Sequence, residues 1–342
     1  MLKRNRGILG GLALVAILAA WYFAGAGAGP VEVDHQQFGI MDTVINVRVY
    51  AQSQRQGEEA IDQVLSLMEE LEGELSRHIP GSPVDEINRR AGREPVEVPD
   101  SVLYVVEQAL ETAGETGGAF DITVAPLLDL WAFGTEHARI PAEGEIRERL
   151  PYVDYTGVQV DRAAGRVFLP REGMSIDLGG VAKGYVVDRS ILALKDMGFE
   201  SAYLDAGGDI RVMGEKPDGT PWRIGIRHPR DRTKIYAVLS LGPDLAVVTS
   251  GDYQRFFEEA GRRYHHILDP ETGYPAEEGV ISATVIASDT ITADILSTAF
   301  VVLGVAESLE IAERMPGVEA VLITQDLEAH MSSGVKDIIE LQ

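Results

Sequence analysis

The sequence predicts an α+β protein: a single compact unit with a largely antiparallel sheet and flanking helices, preceded by an N-terminal hydrophobic segment. Three observations predict it. Short stretches of alternating apolar and polar residues recur between turn residues, as at 44–50. Two longer stretches carry apolar residues at three- and four-residue spacings. The turns between the later strands, such as Pro217-Asp218-Gly219-Thr220, are too short for helical crossovers. With 342 residues the chain can bury a sizeable core, and its second half contains neither a repeat nor a low-complexity linker, so residues 31–342 read as one domain.

Residues 1–30 read as a targeting segment. Lys3, Arg4 and Arg6 precede an apolar run of 17 residues, 8–24, which is followed by small residues up to Pro30. Cations stay on the cytoplasmic side, so everything after Pro30 is expected on the periplasmic side of an inner membrane. Ala24-Gly25-Ala26 and Ala26-Gly27-Ala28 resemble cleavage sites, whereas the run is also long enough for a short anchor at ~1.5 Å per residue. Both a signal peptide and an anchor stay open, and the anchor is the preferred reading. The formal charge of −24, from 54 acidic and 30 basic residues, repels phosphodiester backbones and excludes a nucleic-acid binder. With no cysteine, the chain has no disulfide, thiolate metal site or cysteine nucleophile, and it is not a lipoprotein.

The first helix is marked by Ile61, Val64, Leu65, Met68, Leu71 and Leu75, with the acidic run at 69–74 as its solvated face. A loop with Pro80, Gly81 and Pro83 follows at 76–88, then a second amphipathic helix at 101–116. The stretch 118–134 is irregular for something so apolar. Trp131 and Phe133 could wall a pocket for a flat ring, with Asp121 as a directional acceptor, or they could be ordinary core. A short helix and two brief strands, 157–160 and 166–169, are expected next.

Residues 174–188 join a carboxylate, Asp177, to paired glycines and a helical pattern. Gly179 and Gly180 are expected to take positive φ, and the helix opening with Lys183 offers positive potential to an anion; a plain tight turn is the alternative. A strand pair broken by Gly207-Gly208 follows, and strands at 222–226, 236–241 and 245–248 are expected to extend the same sheet. His265 and His266 are adjacent on a strand and point to opposite faces, so at most one enters any one site. Asp294 and Thr298 are four apart on a helix expected at 290–300. On one face they could share a hard cation such as Mg²⁺, which retains water and ligand phosphates, or they could be a surface charge and a core-edge hydroxyl.

Five motifs in order, 118–134 (GAFDITVAPLLDLWAFG), 177–188 (DLGGVAKGYVVD), 249–253 (TSGDY), 266–273 (HILDPETG) and 292–298 (TADILST), resemble the ApbE family, the FAD:protein FMN transferases. The resemblance spans essentially the whole chain after residue 30. It implies an α+β fold, FAD as substrate, Mg²⁺ as cofactor, and transfer of FMN through its phosphate to a threonine of an acceptor flavoprotein with release of AMP. It places the metal on Asp294, Thr298 and the Gly180 carbonyl, with Ser297 assisting. Flavin-nucleotide contacts fall on Met41, His78, Ala119, Phe120, Asp121, Asp177, Lys183 and Leu268. His266 stands where the family has its reactive histidine; His266 or Asp252 would take the acceptor's proton. Two positions depart from the family pattern: Asp42 stands where Met-Gly-Thr has glycine, and His78 replaces a tyrosine. The acceptors it implies are subunits of membrane redox complexes, of the sodium-translocating NADH:quinone reductase or Rnf type. A Mg²⁺-dependent FAD pyrophosphatase and a non-catalytic periplasmic flavin-binding protein are the alternatives.

Overall fold

A computed structural model of the protein describes residues 29–342, so the targeting segment read at 1–30 lies outside the described residues except for its last two. The described chain opens with the hairpin β1 (Val31–Phe38) and β2 (Val44–Ala51). Helix α1 (Gln54–Leu75) follows, with Ser53 Oγ accepting from the Gln56 amide at 3.3 Å, and all six of its predicted inward residues are buried. The stretch expected to be loop contains α2 (Pro83–Arg89). Its proline occupies the first helical turn, where the missing N–H costs nothing, and Ser82 caps it. Then come β3 (Val96–Glu97), α3 (Asp100–Glu115), α4 (Ala125–Trp131), α5 (Glu143–Arg149), β4 (Gln159–Asp161), β5 (Arg166–Phe168) and α6 (Ala182–Asp196).

The second half runs β6 (Ala202–Ala206), β7 (Asp209–Met213), β8 (Trp222–Arg227), β9 (Ile235–Leu241), β10 (Ala246–Gly251), β11 (Phe256–Glu259), β12 (Arg262–His265), β13 (Val280–Ala287), α7 (Thr290–Arg314), β14 (Glu319–Thr324), β15 (Ala329–Met331) and β16 (Ile339–Leu341). Eight strands form one antiparallel sheet in the order β1-β2-β6-β7-β10-β13-β14-β15. The fold class is therefore as predicted. One expectation about the sheet fails: β8 and β9 do not extend it but pair with β16 in a separate sheet. Every residue of β13 is buried, so the central strands need cover on both faces. The helices α1, α6 and α7 cover one face, and Trp222, Ile224 and Leu239 of the small sheet pack with Val212, Val247, Ile286 and Val321 on the other.

Helix α7 continues well past residue 300, through a break at Gly304 (φ 76°). By length and composition it could cross a membrane, but most of it is buried against the sheet, as a core helix is. Within the stretch 118–134 Trp131 is core: it is fully buried, lies parallel to half-buried Phe133 with centroids 5.4 Å apart, and donates from Nε1 to the Gly273 carbonyl at 2.9 Å.

Candidate active site

Helices α6 and α7 and strand β7 meet at one polar junction on the helix-covered side of the sheet. Lys183 Nζ lies 2.6 Å from Asp209 Oδ2 and 3.6 Å from Asp294 Oδ1. The Gly184 amide donates to Asp294 Oδ2 at 3.1 Å. Thus the positive end of α6 that the sequence offered to an anion already holds the Asp294 carboxylate. Burial works to lower the Lys183 pKa, but Asp209 and Asp294 outweigh it and the ammonium is held charged. Burial, together with neighbouring Asp294, pushes the Asp209 carboxyl up despite Lys183.

Two further oxygens adjoin this junction. Thr298 Oγ1 is 3.2 Å from Ser250 Oγ, and a Cβ added at Gly180 would lie 3.6 Å from Thr298 Oγ1 and 3.0 Å from the Phe120 ring. Gly179 and Gly180 are not among the glycines with positive φ, contrary to expectation. What Gly180 supplies is space beside Phe120 and Thr298. Ser297 Oγ is buried, within hydrogen-bond distance of the Asp294 carbonyl at 3.0 Å and of Ser250 Oγ at 2.9 Å, so it braces the helix turn.

These residues fit Mg²⁺. Two carboxylates face one ammonium, which leaves negative charge for a divalent cation to neutralise, and the neighbouring donors are hard oxygens. Among the described residues no three His, Cys, Asp or Glu side chains converge on one point. Such a sparse set suits a cation that completes its shell with water and ligand phosphate.

The two histidines separate, though not as neighbours on one strand: β12 ends at His265 and His266 lies just beyond it. His265 is buried at the end of β12, with Nε2 3.1 Å from the Ala276 carbonyl. His266 is half-buried, and its Nδ1 lies 3.2 Å from the Arg255 carbonyl. A carbonyl only accepts, so Nδ1 carries the proton and Nε2 keeps its lone pair. Burial, then Arg255, His265 and Lys183, push the His266 pKa down to about 3, so the ring is neutral. Asp252 is differently placed: Arg230 grips both its oxygens at 2.7 and 2.8 Å, and Arg263 lies 3.6 Å away. Its carboxylate is a structural anchor.

On the side assigned to the flavin, Met41 and Asp42 both have φ 53°, and the Met41 amide donates to Glu72 Oε1 at 2.9 Å. Asp42 thus takes the left-handed backbone that glycine adopts freely and that aspartate is one of the few other residues to tolerate. The Asp121 carboxylate accepts from Thr123 N and Oγ1 at 2.7 and 2.6 Å and from Tyr155 N at 3.0 Å, so it holds its own loop. Asp177 accepts from Arg77 Nε at 2.6 Å and Gly179 N at 2.7 Å. Leu268 is buried in a small cluster with Leu127, Trp131 and Ile146, whereas Ala119 is half-buried and His78 exposed. The structure thus joins Phe120, Gly180, Lys183, Asp294, Ser297 and Thr298, while Asp121, Asp252 and Leu268 act in the surrounding frame.

Sequence reasoning missed Asp209, Arg77, Ser250 and Arg255. The signal for Asp209 was present in Gly207-Gly208-Asp209: a Cβ at Gly207 (φ 68°) would collide with Thr43 Oγ1, so this tight β6–β7 turn fixes the aspartate that follows it.

Residues 41–322 match the ApbE family model. The FAD:protein FMN transferase of Treponema pallidum is 35% identical over 319 residues, covering 88% of this chain and 87% of that one. The FAD:protein FMN transferase of Vibrio cholerae is 32% identical over 333 residues, covering 95% and 98%. The crystal structure of the ApbE protein of Thermotoga maritima superposes with a TM-score of 0.82 at 35% identity over 90% of this chain and 99% of that one. The flavin transferase ApbE of Vibrio cholerae gives 0.81 at 29% identity over 90% and 99%.

Proposed function

Since the chain belongs to the ApbE family and is a flavin-transferring enzyme, an FAD:protein FMN transferase, we propose that it moves FMN from FAD, with Mg²⁺, to a threonine of an acceptor flavoprotein and releases AMP. The observation that carries this reading is the convergence of Lys183, Asp209, Asp294, Thr298 and Gly180 at one junction. A pyrophosphate is the ligand that such charges and hard oxygens suit.

Asp294, Thr298 and the Gly180 carbonyl would hold the metal. When bound there, Mg²⁺ supplies positive charge to the pyrophosphate as negative charge grows on departing AMP. Lys183 fixes both carboxylates in place and adds its own positive charge. The acceptor's threonine oxygen forms a bond to the FMN phosphorus as the bond from that phosphorus to the AMP oxygen breaks. His266 Nε2, whose lone pair is left free because Nδ1 faces the Arg255 carbonyl, takes the threonine proton, whereas the carboxylate of Asp252 is already paired with Arg230. Phe120, whose ring borders Gly180, would line the same end of the substrate site.

The cations and apolar run of residues 3–24 support a location on the periplasmic side of an inner membrane, where acceptor subunits of sodium-translocating NADH:quinone reductase or Rnf type would be met. Incubating residues 30–342 with FAD, Mg²⁺ and such a subunit tests the reading. The expected result is AMP formed only with acceptor, together with an FMN-sized mass increase on the acceptor. AMP formed equally without acceptor makes the protein a pyrophosphatase, and flavin binding with no AMP in either tube makes it a binding protein.

A further inference from the structure

The three elements that form the active-site junction are tied together a second time, one structural repeat away. On α6, Asp188 lies four residues after Gly184; on β7, Arg211 lies two residues after Asp209; on α7, Thr290 lies four residues before Asp294. Each step is the repeat of its own element, so the second set shares the faces of the first. Asp188 is buried, and its carboxylate accepts from the Thr290 amide at 2.8 and 3.0 Å and from the Ile291 amide at 3.0 Å. Arg211 Nη1 pairs with Asp188 Oδ1, while Nη2 donates to the Ser288 carbonyl at 3.0 Å, just before α7 begins. The helices are pressed together here, because a Cβ at Gly184 would lie 2.6 Å from the Thr290 carbonyl oxygen and 2.8 Å from Ile291 Cα.

We propose that Asp188 and Arg211 are positioning residues for the transfer reaction: a clamp that sets the axial position of α7 and thereby places Asp294 and Thr298 opposite Lys183, Asp209 and Gly180. This rests on the reading of the junction as the metal and pyrophosphate site. The clamp touches neither substrate nor metal. It acts through helix placement, since the first-turn amides of α7 are held by a carboxylate from the helix carrying Lys183, and that carboxylate is held by an arginine from the strand carrying Asp209. Carboxylate oxygens at a helix N-terminus also complement its dipole, which reinforces the hold. Asn at position 188 keeps one acceptor oxygen for the amides, whereas Ala removes both.

The test compares full-length wild type with D188A, D188N, R211A and the D188A/R211A double variant. It measures AMP release with FAD and the acceptor subunit present as a function of Mg²⁺, FAD affinity without Mg²⁺ by flavin fluorescence, and hydrogen exchange across 289–298. In D188A the Mg²⁺ concentration for half-maximal rate should rise about tenfold or more and kcat should fall about 10- to 100-fold, as loss of an outer support for a metal site does. FAD affinity without Mg²⁺ should stay within about twofold of wild type, an effect no larger than that of an ordinary surface change. Exchange should quicken in the first turn of α7, D188N should recover part of the loss, and the double variant should be no worse than D188A, because the two residues act as one unit. A folded D188A or R211A with the Mg²⁺ requirement and kcat of the wild type overturns the clamp alone. Equal loss of metal-free FAD affinity and activity in D188N also overturns it, since that is general destabilisation. A wild-type chain that releases no AMP with Mg²⁺, FAD and the acceptor subunit together overturns the reading of the site, and the clamp with it.

Discussion

The two ends of the site are built differently. At the phosphate end, Lys183, Asp209, Asp294 and Thr298 project from two helices and a strand, and their charged groups converge. At the ring end, Met41, His78, Asp121 and Asp177 lie on loops and short turns, where Asp121 holds Thr123 and Tyr155, and Asp177 holds Arg77 and Gly179. The difference teaches that charge is handled by the rigid frame, where small displacements of a ligand are costly. On the proposed reading the ring would be met by loops whose polar groups mainly hold one another.

Breaking the phosphate end should have the largest effect. Asp294→Ala removes the carboxylate shared by Lys183 and the Gly184 amide, and transfer should fall by about a thousandfold or more, with near-native circular dichroism. His266→Ala should cost roughly a hundredfold in kcat, with little change in FAD affinity, as loss of a general base does. The His266 pKa lies below its unfolded value near 6.5, so its neutral form should persist as pH falls from 6.5 towards about 3. Across that window the unfolded chain takes up the proton first, so this histidine's contribution to stability is complete above about 6.5 and is lost on acidification. A rate profile with its acid limb at 6.5, absent in His266→Ala, would contradict the depressed value.

Frame residues should separate from these. Asp252→Ala strips Arg230 of its paired carboxylate and should lower stability by about 1–3 kcal/mol in urea unfolding, with kcat reduced less than tenfold. A larger loss of kcat with intact stability would return Asp252 to the chemistry. At the exposed ring end, His78→Ala should change the KM for FAD by about twofold or less.

Much of this was legible in the sequence where one element carries the signal. The spacing of Asp294 and Thr298 put both on one helix, the inward face of α1 was readable from periodicity, and adjacency separated His265 from His266. What depended on distant partners was not legible. Asp209 looked like part of a turn until Lys183, 26 residues earlier, reached it. Asp121 looked like a ligand acceptor because nothing local shows that the Tyr155 amide, 34 residues away, takes its second oxygen. The hairpin β8–β9 alternates in the way a strand of the main sheet would, and only the two-sided burial of β13 reveals that a second sheet is needed. Proline at 83 reads equally as a helix start or a loop, and the Ser82 cap decides between them.

The central claim is that Asp294 and Thr298 hold a metal shared with the FAD pyrophosphate. Calorimetric titration of Mg²⁺ into the protein, with and without FAD, tests it most directly. A tight Mg²⁺ site should form only when FAD is present and be lost in both Asp294→Ala and Thr298→Val. Mg²⁺ binding of unchanged affinity in folded Asp294→Ala with FAD present would contradict it.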